Sequence, residues 1–311
     1  MIIAETPIPE PGSDVCIDID GDGLGEASGA LCQVVPTDTS GELNPDVACG
    51  ASTGRFNSAR DLLVLHYDFG RDRDESHAAT ANKALVDIFN IPQLWVVSGT
   101  NSLWQNRYLP GADALMNQVY GDGRWTRANI LDTASFNAAA AASTNRWLQT
   151  LNNGGEIWVA EGGPGDFTRR VLQAVKNSVS DCVAMTKIHI VQHSATNELN
   201  TGRDVDESRN NDLAFIQANT DYIKIDDGNR TNSTADLHAN DNREADNRDF
   251  INQALSSRWS SEWQAAFEFL APGIDVRSGK LDFSDTVELL HILNVPLSDV
   301  ADWDDFADRF F

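Results

Sequence analysis

The sequence predicts an α/β protein: an open, mostly parallel sheet with helices on both faces, preceded by a short acidic segment. From about residue 60 onward, short apolar runs alternate with stretches whose apolar residues recur every three or four positions. That is the pattern of strands joined by crossover helices. The runs are continuously apolar, as strands buried on both faces are. Acidic or glycine-rich stretches follow several of them, and ligands bind outside the carboxyl ends of strands in such sheets.

The first unit is 61–85, DLLVLHYDFGRDRDESHAATANKAL. Residues 62–65 suit a buried strand, and Ala78, Ala81, Leu85 and Phe89 keep the spacing of one helix face. Between them stand Asp68, Asp72, Asp74 and Glu75, flanked by His66 and His77. A lone acid there would read as a helix cap. Four repel one another unless water or a cation takes up the charge, which points to a metal or catalytic site. Residues 94–97 form a second strand, ending in Ser98-Gly99-Thr100-Asn101, and 136–151 an alanine-rich helix. A third strand, 156–160, runs into Glu161-Gly162-Gly163-Pro164-Gly165-Asp166 and a helix over 167–175. Further strands are expected at 187–192 and 222–225, and the polar stretch 226–247 reads as a lid or excursion near the site. Over 280–293, Ser284 is expected to cap a helix with Val287, Leu290 and Leu293 on one face.

The 311 residues, 41% of them hydrophobic, can build a sizeable core. With 47 acids against 23 bases, the formal charge of -24 repels phosphate backbones and anionic membranes, so neither a nucleic-acid polymer nor a membrane is expected as partner. No run is long and apolar enough to span a bilayer. Residues 1–12 lack the basic start and apolar middle of a signal peptide and read as a disordered lead-in, any export signal being absent or trimmed away.

Residues 13–35, SDVCIDIDGDGLGEASGALCQVV, place Asp18, Asp20 and Asp22 ahead of Gly23. Alternate acids direct oxygens at one centre, and glycines permit the tight turn around a hard cation. An EF-hand needs Glu at the twelfth position, where Gly29 stands. The segment instead resembles one thrombospondin type 3 repeat, an extracellular calcium loop. Cys16 and Cys32 flank it, and a disulfide between them would tie off a loop too small for a core. Cys49 and Cys182 could pair as well, though sequence does not fix pairing. An oxidising, secreted or periplasmic setting is therefore expected. Residues 36–60 read as a linker and 61–311 as the α/β domain.

Taken in order, strand-acids-helix, strand-Asn, strand-Gly-Gly-helix and a late Ser-Asp-helix resemble the inosine-uridine nucleoside hydrolase superfamily, over roughly residues 60–295. The resemblance implies a calcium-dependent hydrolase of an N-glycosidic or related bond, acting on a small sugar or nucleoside, possibly within a polysaccharide. Asp68 would bind the metal and act as general base. The paired acids that follow in the family match either Asp72 with Asp74 or Asp74 with Glu75. Asn101 would face metal and sugar, Glu161 would supply a main-chain carbonyl to calcium, Asp166 replaces a family Asn, and Asp285 would complete the metal shell. Ser284 stands where purine-cleaving members often carry a leaving-group histidine, which weakens a purine assignment. His77, His193 and His238 are candidates for that proton, His193 gaining from its place after KIHIVQ. Asn197, Glu198 and Asn200 would bind sugar hydroxyls, and tryptophans such as Trp104, Trp158, Trp259 and Trp263 could stack on sugars or fill the core.

Other enzyme classes lack their marks. There is no G-x-G-x-x-G, Walker lysine or H-E-x-x-H, and the G-x-S-x-G string at 50–54 falls in the linker, not at a strand-to-helix turn where a nucleophile elbow stands. The competing expectation is a secreted carbohydrate-binding or accessory module that keeps the fold without the hydrolase activity. Sequence does not give the oligomeric state.

Overall fold

Leu62–Tyr67 (β1), all six residues buried, lies in the middle of the sheet. Its neighbours are Leu94–Ser98 (β2) and Ile157–Gly162 (β4), both parallel to it, with Tyr67 level with Ser98 on one side and Gly162 on the other. Trp125–Arg127 (β3), Ile188–Gln192 (β5) and Asp221–Lys224 (β6) complete the sheet. In this computed structural model the strand order is β3-β2-β1-β4-β5-β6, every pairing parallel. The order reverses between β1 and β4, which opens a crevice at their carboxyl ends. The structure describes residues 54–70, 74–100, 107–202, 211–229, 236–237, 247–269 and 281–311. They fall within one unit, Thr53–Phe311.

Because side chains alternate along a strand, β1 feeds two cores. Leu63, Leu65 and Tyr67 join Asp74–Ile88 (α1), Ala112–Tyr120 (α2) and helices from the carboxyl-terminal part of the chain. Leu62 and Val64 join Thr133–Asn152 (α3), Asp166–Val175 (α4), Asp181–Lys187 (α5) and Asp212–Asn219 (α7), while Ala195–Asn200 (α6) follows β5. The carboxyl-terminal helices are Asn247–Ser256 (α8), Ser260–Glu268 (α9), Thr286–Ile292 (α10) and Trp303–Phe310 (α11). Phe250, Trp263, Phe283 and Phe306 pack together on that side, with ring centroids 5.2–6.2 Å apart. The expected α/β sheet with helices on both faces is thus present.

Several boundaries differ for local reasons. The alanine-rich helix starts at Thr133, before the apolar spacing, because Asp132 accepts from Ala134 N and Ser135 N at 3.2 and 3.4 Å. Lys187 ends α5 instead of opening β5. Ser284 is not the cap of the last predicted helix. Asp285 occupies that position and makes no capping hydrogen bond, leaving its carboxylate for other partners. Within 226–247, Leu237 is buried, receives Phe283 N on its carbonyl and donates to Gly228 O, so this part is anchored to the core. Asp18, Asp20, Asp22, Cys16, Cys32, Cys49, Asp72, Asn101, Trp104 and His238 lie outside the described residues.

Candidate metal centre

The site is assembled where β1 and β4 end. After Tyr67 the chain turns sharply. Asp68 Oδ1 accepts from Gly70 N at 2.7 Å, and Phe69 between them takes a left-handed φ of 46°, a strained conformation for a residue with a side chain. Phe69 is held there by Tyr67, Tyr108 and Phe269, at ring distances of 6.3, 6.3 and 5.9 Å. Across the crevice, Gly162 and Gly163 allow close approach. A Cβ on Gly162 would lie 3.1 Å from Asp285 Oδ2, and one on Gly163 would lie 2.7 Å from the Cβ of Asp68. Gln192 Nε2 donates to Gly163 O at 2.5 Å, which fixes the glycine loop against β5.

Two helix starts bring the remaining acids. Asp74 and Glu75 open α1, and Asp285 immediately precedes α10. One oxygen from each of these three lies within 4.8 Å of the others. Asp68 and Asp74 both reach Glu75 through side-chain hydrogen bonds. Glu75 is buried, at 2% exposure, as are Asp68 and Asp285, and its Oε2 has no hydrogen-bond partner. Burial first, then the charges of Asp68 and Asp74, hold the Glu75 carboxyl well above the usual range. Asp285 is also raised. Burial is the main cause, His193 opposes it, and Glu288, Asp282 and Asp68 add to it. Carboxylates gathered this way without a countercharge hold protons unless a cation replaces them, so the donor set fits a divalent ion with oxygen ligands.

A second arm comes from β5. His193, 1% exposed, directs Nδ1 at Glu288 Oε1 at 2.6 Å, and its backbone N donates to the same oxygen at 3.1 Å. Nε2 faces Asp285 Oδ1 at 3.6 Å and Asn229 Nδ2 at 3.4 Å. Burial lowers the His193 pKa, but Glu288, then Asp285 and Asp227, outweigh it and push it up to about 9. The next residue, Ser194, has φ 63° and ψ 117° and accepts from Thr196 N at 3.2 Å as it caps α6. Backbone strain thus marks both strand ends that flank the site, at Phe69 and Ser194.

The structure brings Asp68, Asp74, Glu75, Asp285 and His193 together. Other residues singled out in the sequence are engaged elsewhere. The Glu161 side chain binds His66 Nδ1 at 3.1 Å and accepts from Thr168 Oγ1 on the α4 side of the sheet, leaving only its main chain for the role the resemblance implied. Asp166 Oδ2 accepts from Gly202 N at 3.1 Å. Glu198 is tied to β6 by Tyr222 OH at 2.8 Å and Lys224 Nζ at 3.0 Å. Asn197 is half-buried, its carbonyl accepting from Thr201 N, and Asn200 is buried. His77 meets the backbone of Asp282 and packs beside Trp263 and Phe267. Trp158, Trp259 and Trp263 are buried, Trp158 lining a cavity away from the clustered acids. Glu288 and Asn229 were not foreseen. Glu288 stands three residues after Asp285, one helical turn on, and that spacing was a usable signal.

A cavity of about 670 Å³ lies at the other end of the sheet, between Phe56, Ile91, Trp158 and Val295. It contains none of the clustered acids. Compared with family models, curated proteins and solved structures, the chain matches none.

Proposed function

We propose that the chain is a divalent-cation-dependent hydrolase of a glycosidic bond, N-glycosidic or related, with a small sugar or nucleoside as substrate and Asp68 as general base. Supporting this is the gathering of Asp74, Glu75 and Asp285 at the β1/β4 crevice, with Asp68 near enough to raise both Glu75 and Asp285 and with Glu75 Oε2 buried and unpartnered. Asp68, Asp74, Glu75 and Asp285 would hold the ion, which the resemblance makes calcium. When bound, such an ion neutralises the acids, orients vicinal hydroxyls and lowers the pKa of water.

The protein groups then do the rest. Asp68, fixed by Gly70 N, accepts a proton from water as the water oxygen bonds to an anomeric carbon of oxocarbenium character, while the glycosidic C–N or C–O bond breaks and the departing group takes its proton from solvent. Gly162 and Gly163 leave room for both carboxylates beside the reacting centre. A secreted or periplasmic setting suits this reading, in keeping with the cysteines beside the acidic 13–35 segment. The test is turnover of a panel of nucleosides and oligosaccharides with added calcium, before and after Asp68→Ala. Turnover that the substitution abolishes supports the reading. A cation-loaded protein that cleaves no glycoside removes the hydrolase and leaves the carbohydrate-binding module, read by calorimetry with the same panel.

A further inference from the structure

We propose that His193 is itself a cation ligand through Nε2, oriented from behind by Glu288, and that the site therefore selects an ion that accepts imidazole nitrogen, such as manganese or zinc, over calcium. The proposal rests on the cation-site reading above.

Three relationships point to it. The Nδ1–Glu288 contact of 2.6 Å, reinforced by the His193 backbone N on the same oxygen at 3.1 Å, fixes both ring orientation and the proton-bearing nitrogen. A histidine that gives one ring N–H to a carboxylate and presents the other nitrogen is the usual arrangement of a metal-bound imidazole. The other ring nitrogen, Nε2, has only a long contact to Asn229 Nδ2 at 3.4 Å and faces Asp285 Oδ1 at 3.6 Å, the latter too long for a hydrogen bond. That gap is close to the spacing of two atoms sharing an ion, roughly 3.0–3.4 Å for bonds of about 2.1 Å. Finally, Asp285 belongs to both groupings of donors, with Asp74 and Glu75 on one side and with His193 and Glu288 on the other, each within 4.8 Å.

A leaving-group acid must reach substrate. His193 is only 1% exposed, and its outer nitrogen is faced by Asp285 and Asn229. The ring is better placed to face an ion beside Asp285 than to meet a departing base. An all-oxygen shell suits calcium, whereas an added imidazole favours transition ions.

The probe is Mn²⁺ bound to the full chain after dialysis against chelator, read by pulsed electron paramagnetic resonance for ¹⁴N modulation. The ion is assigned to this pocket by its loss in Asp285→Asn. The expected result is nitrogen coupling in the wild type, moved to ¹⁵N frequencies by labelled histidine and absent in His193→Gln. Glu288→Gln should keep the coupling while weakening Mn²⁺ binding about 10- to 100-fold. Mn²⁺ that is lost with Asp285→Asn yet shows no nitrogen coupling overturns the histidine ligand and leaves the cation site standing. Coupling that persists in His193→Gln overturns it too. Mn²⁺ binding indifferent to Asp285→Asn overturns the cation site itself. If His193→Gln fails to fold, the wild-type spectrum with labelled histidine still decides whether imidazole is bound, and Glu288→Gln reports which ring.

Discussion

The Cβ of Asp68 stands 2.7 Å from where a side chain on Gly163 would begin, so the acid at the end of β1 and the glycine after β4 cannot both keep their places if Gly163 gains a methyl group. Gly163→Ala is therefore expected to displace Asp68. Overpacking of this kind costs about 1–3 kcal/mol, and loss of support for a ligand weakens cation binding about tenfold or more. Thermal melts and calorimetric titration of the same variant should show both changes. A variant that binds the ion as the wild type does would mean that Asp68 is no ligand.

Protons and cation should compete for this pocket. Glu75 and Asp285 hold protons above the usual carboxyl range, while in the unfolded chain they ionise near pH 4. The cation-free folded chain thus binds more protons than the unfolded one, and its stability falls as pH rises through that interval. His193 acts in the same direction. Raised to about 9, it contributes fully below its ordinary value and loses that contribution as pH rises through about 9. Chelated protein is expected to melt at a higher temperature at about pH 6 than at about pH 9, the window between the ordinary and the raised His193 value. Added cation should stabilise most at the higher pH, since binding releases the protons.

Tyr67 precedes Asp68 and packs against α1 and α2, at Asn82 well beyond the first turn of α1 that carries Asp74 and Glu75. Its hydroxyl meets Tyr120 OH at 2.7 Å and Asn82 Nδ2 at 2.9 Å, all of them buried. Tyr67→Phe takes the acceptor from buried Asn82 Nδ2, while Tyr120 OH keeps the Ala79 carbonyl at 3.1 Å, and is expected to cost about 1–3 kcal/mol. Cation affinity should not change. Denaturant melts and titration together separate damage to the fold from damage to the site, and a parallel loss of affinity would show that the two cannot be separated.

Much of the sheet is legible in the chain. β1, β2, β4, β5 and β6 are apolar runs bounded by polar residues, and each lies within a residue or two of its expected place. β3 is not legible, because its three residues, Trp125, Thr126 and Arg127, are only half-buried and too few to show a period. α8, α9 and α11 follow the last strand, where the alternation of strand and helix no longer guides the eye. In the site, sequence marks Asp68, Asp74, Glu75 and Asp285 through their place after strands or before helices. Which of Asp74 and Glu75 is buried depends on where α1 starts, and the helix begins at Asp74 with Glu75 turned inward. The His193–Glu288 pair spans 95 residues. A contact of that separation is made by folding and leaves only the Asp285–Glu288 spacing as its local trace.

The most direct measurement is the divalent-ion content of the wild-type chain and of Asp285→Asn, determined by elemental analysis on folded protein after gel filtration. The expected result is a difference of about one ion per chain, the stoichiometry of a single site whose shell needs that carboxylate. Equal ion content in the two folded proteins would contradict a cation centre at the ends of β1 and β4.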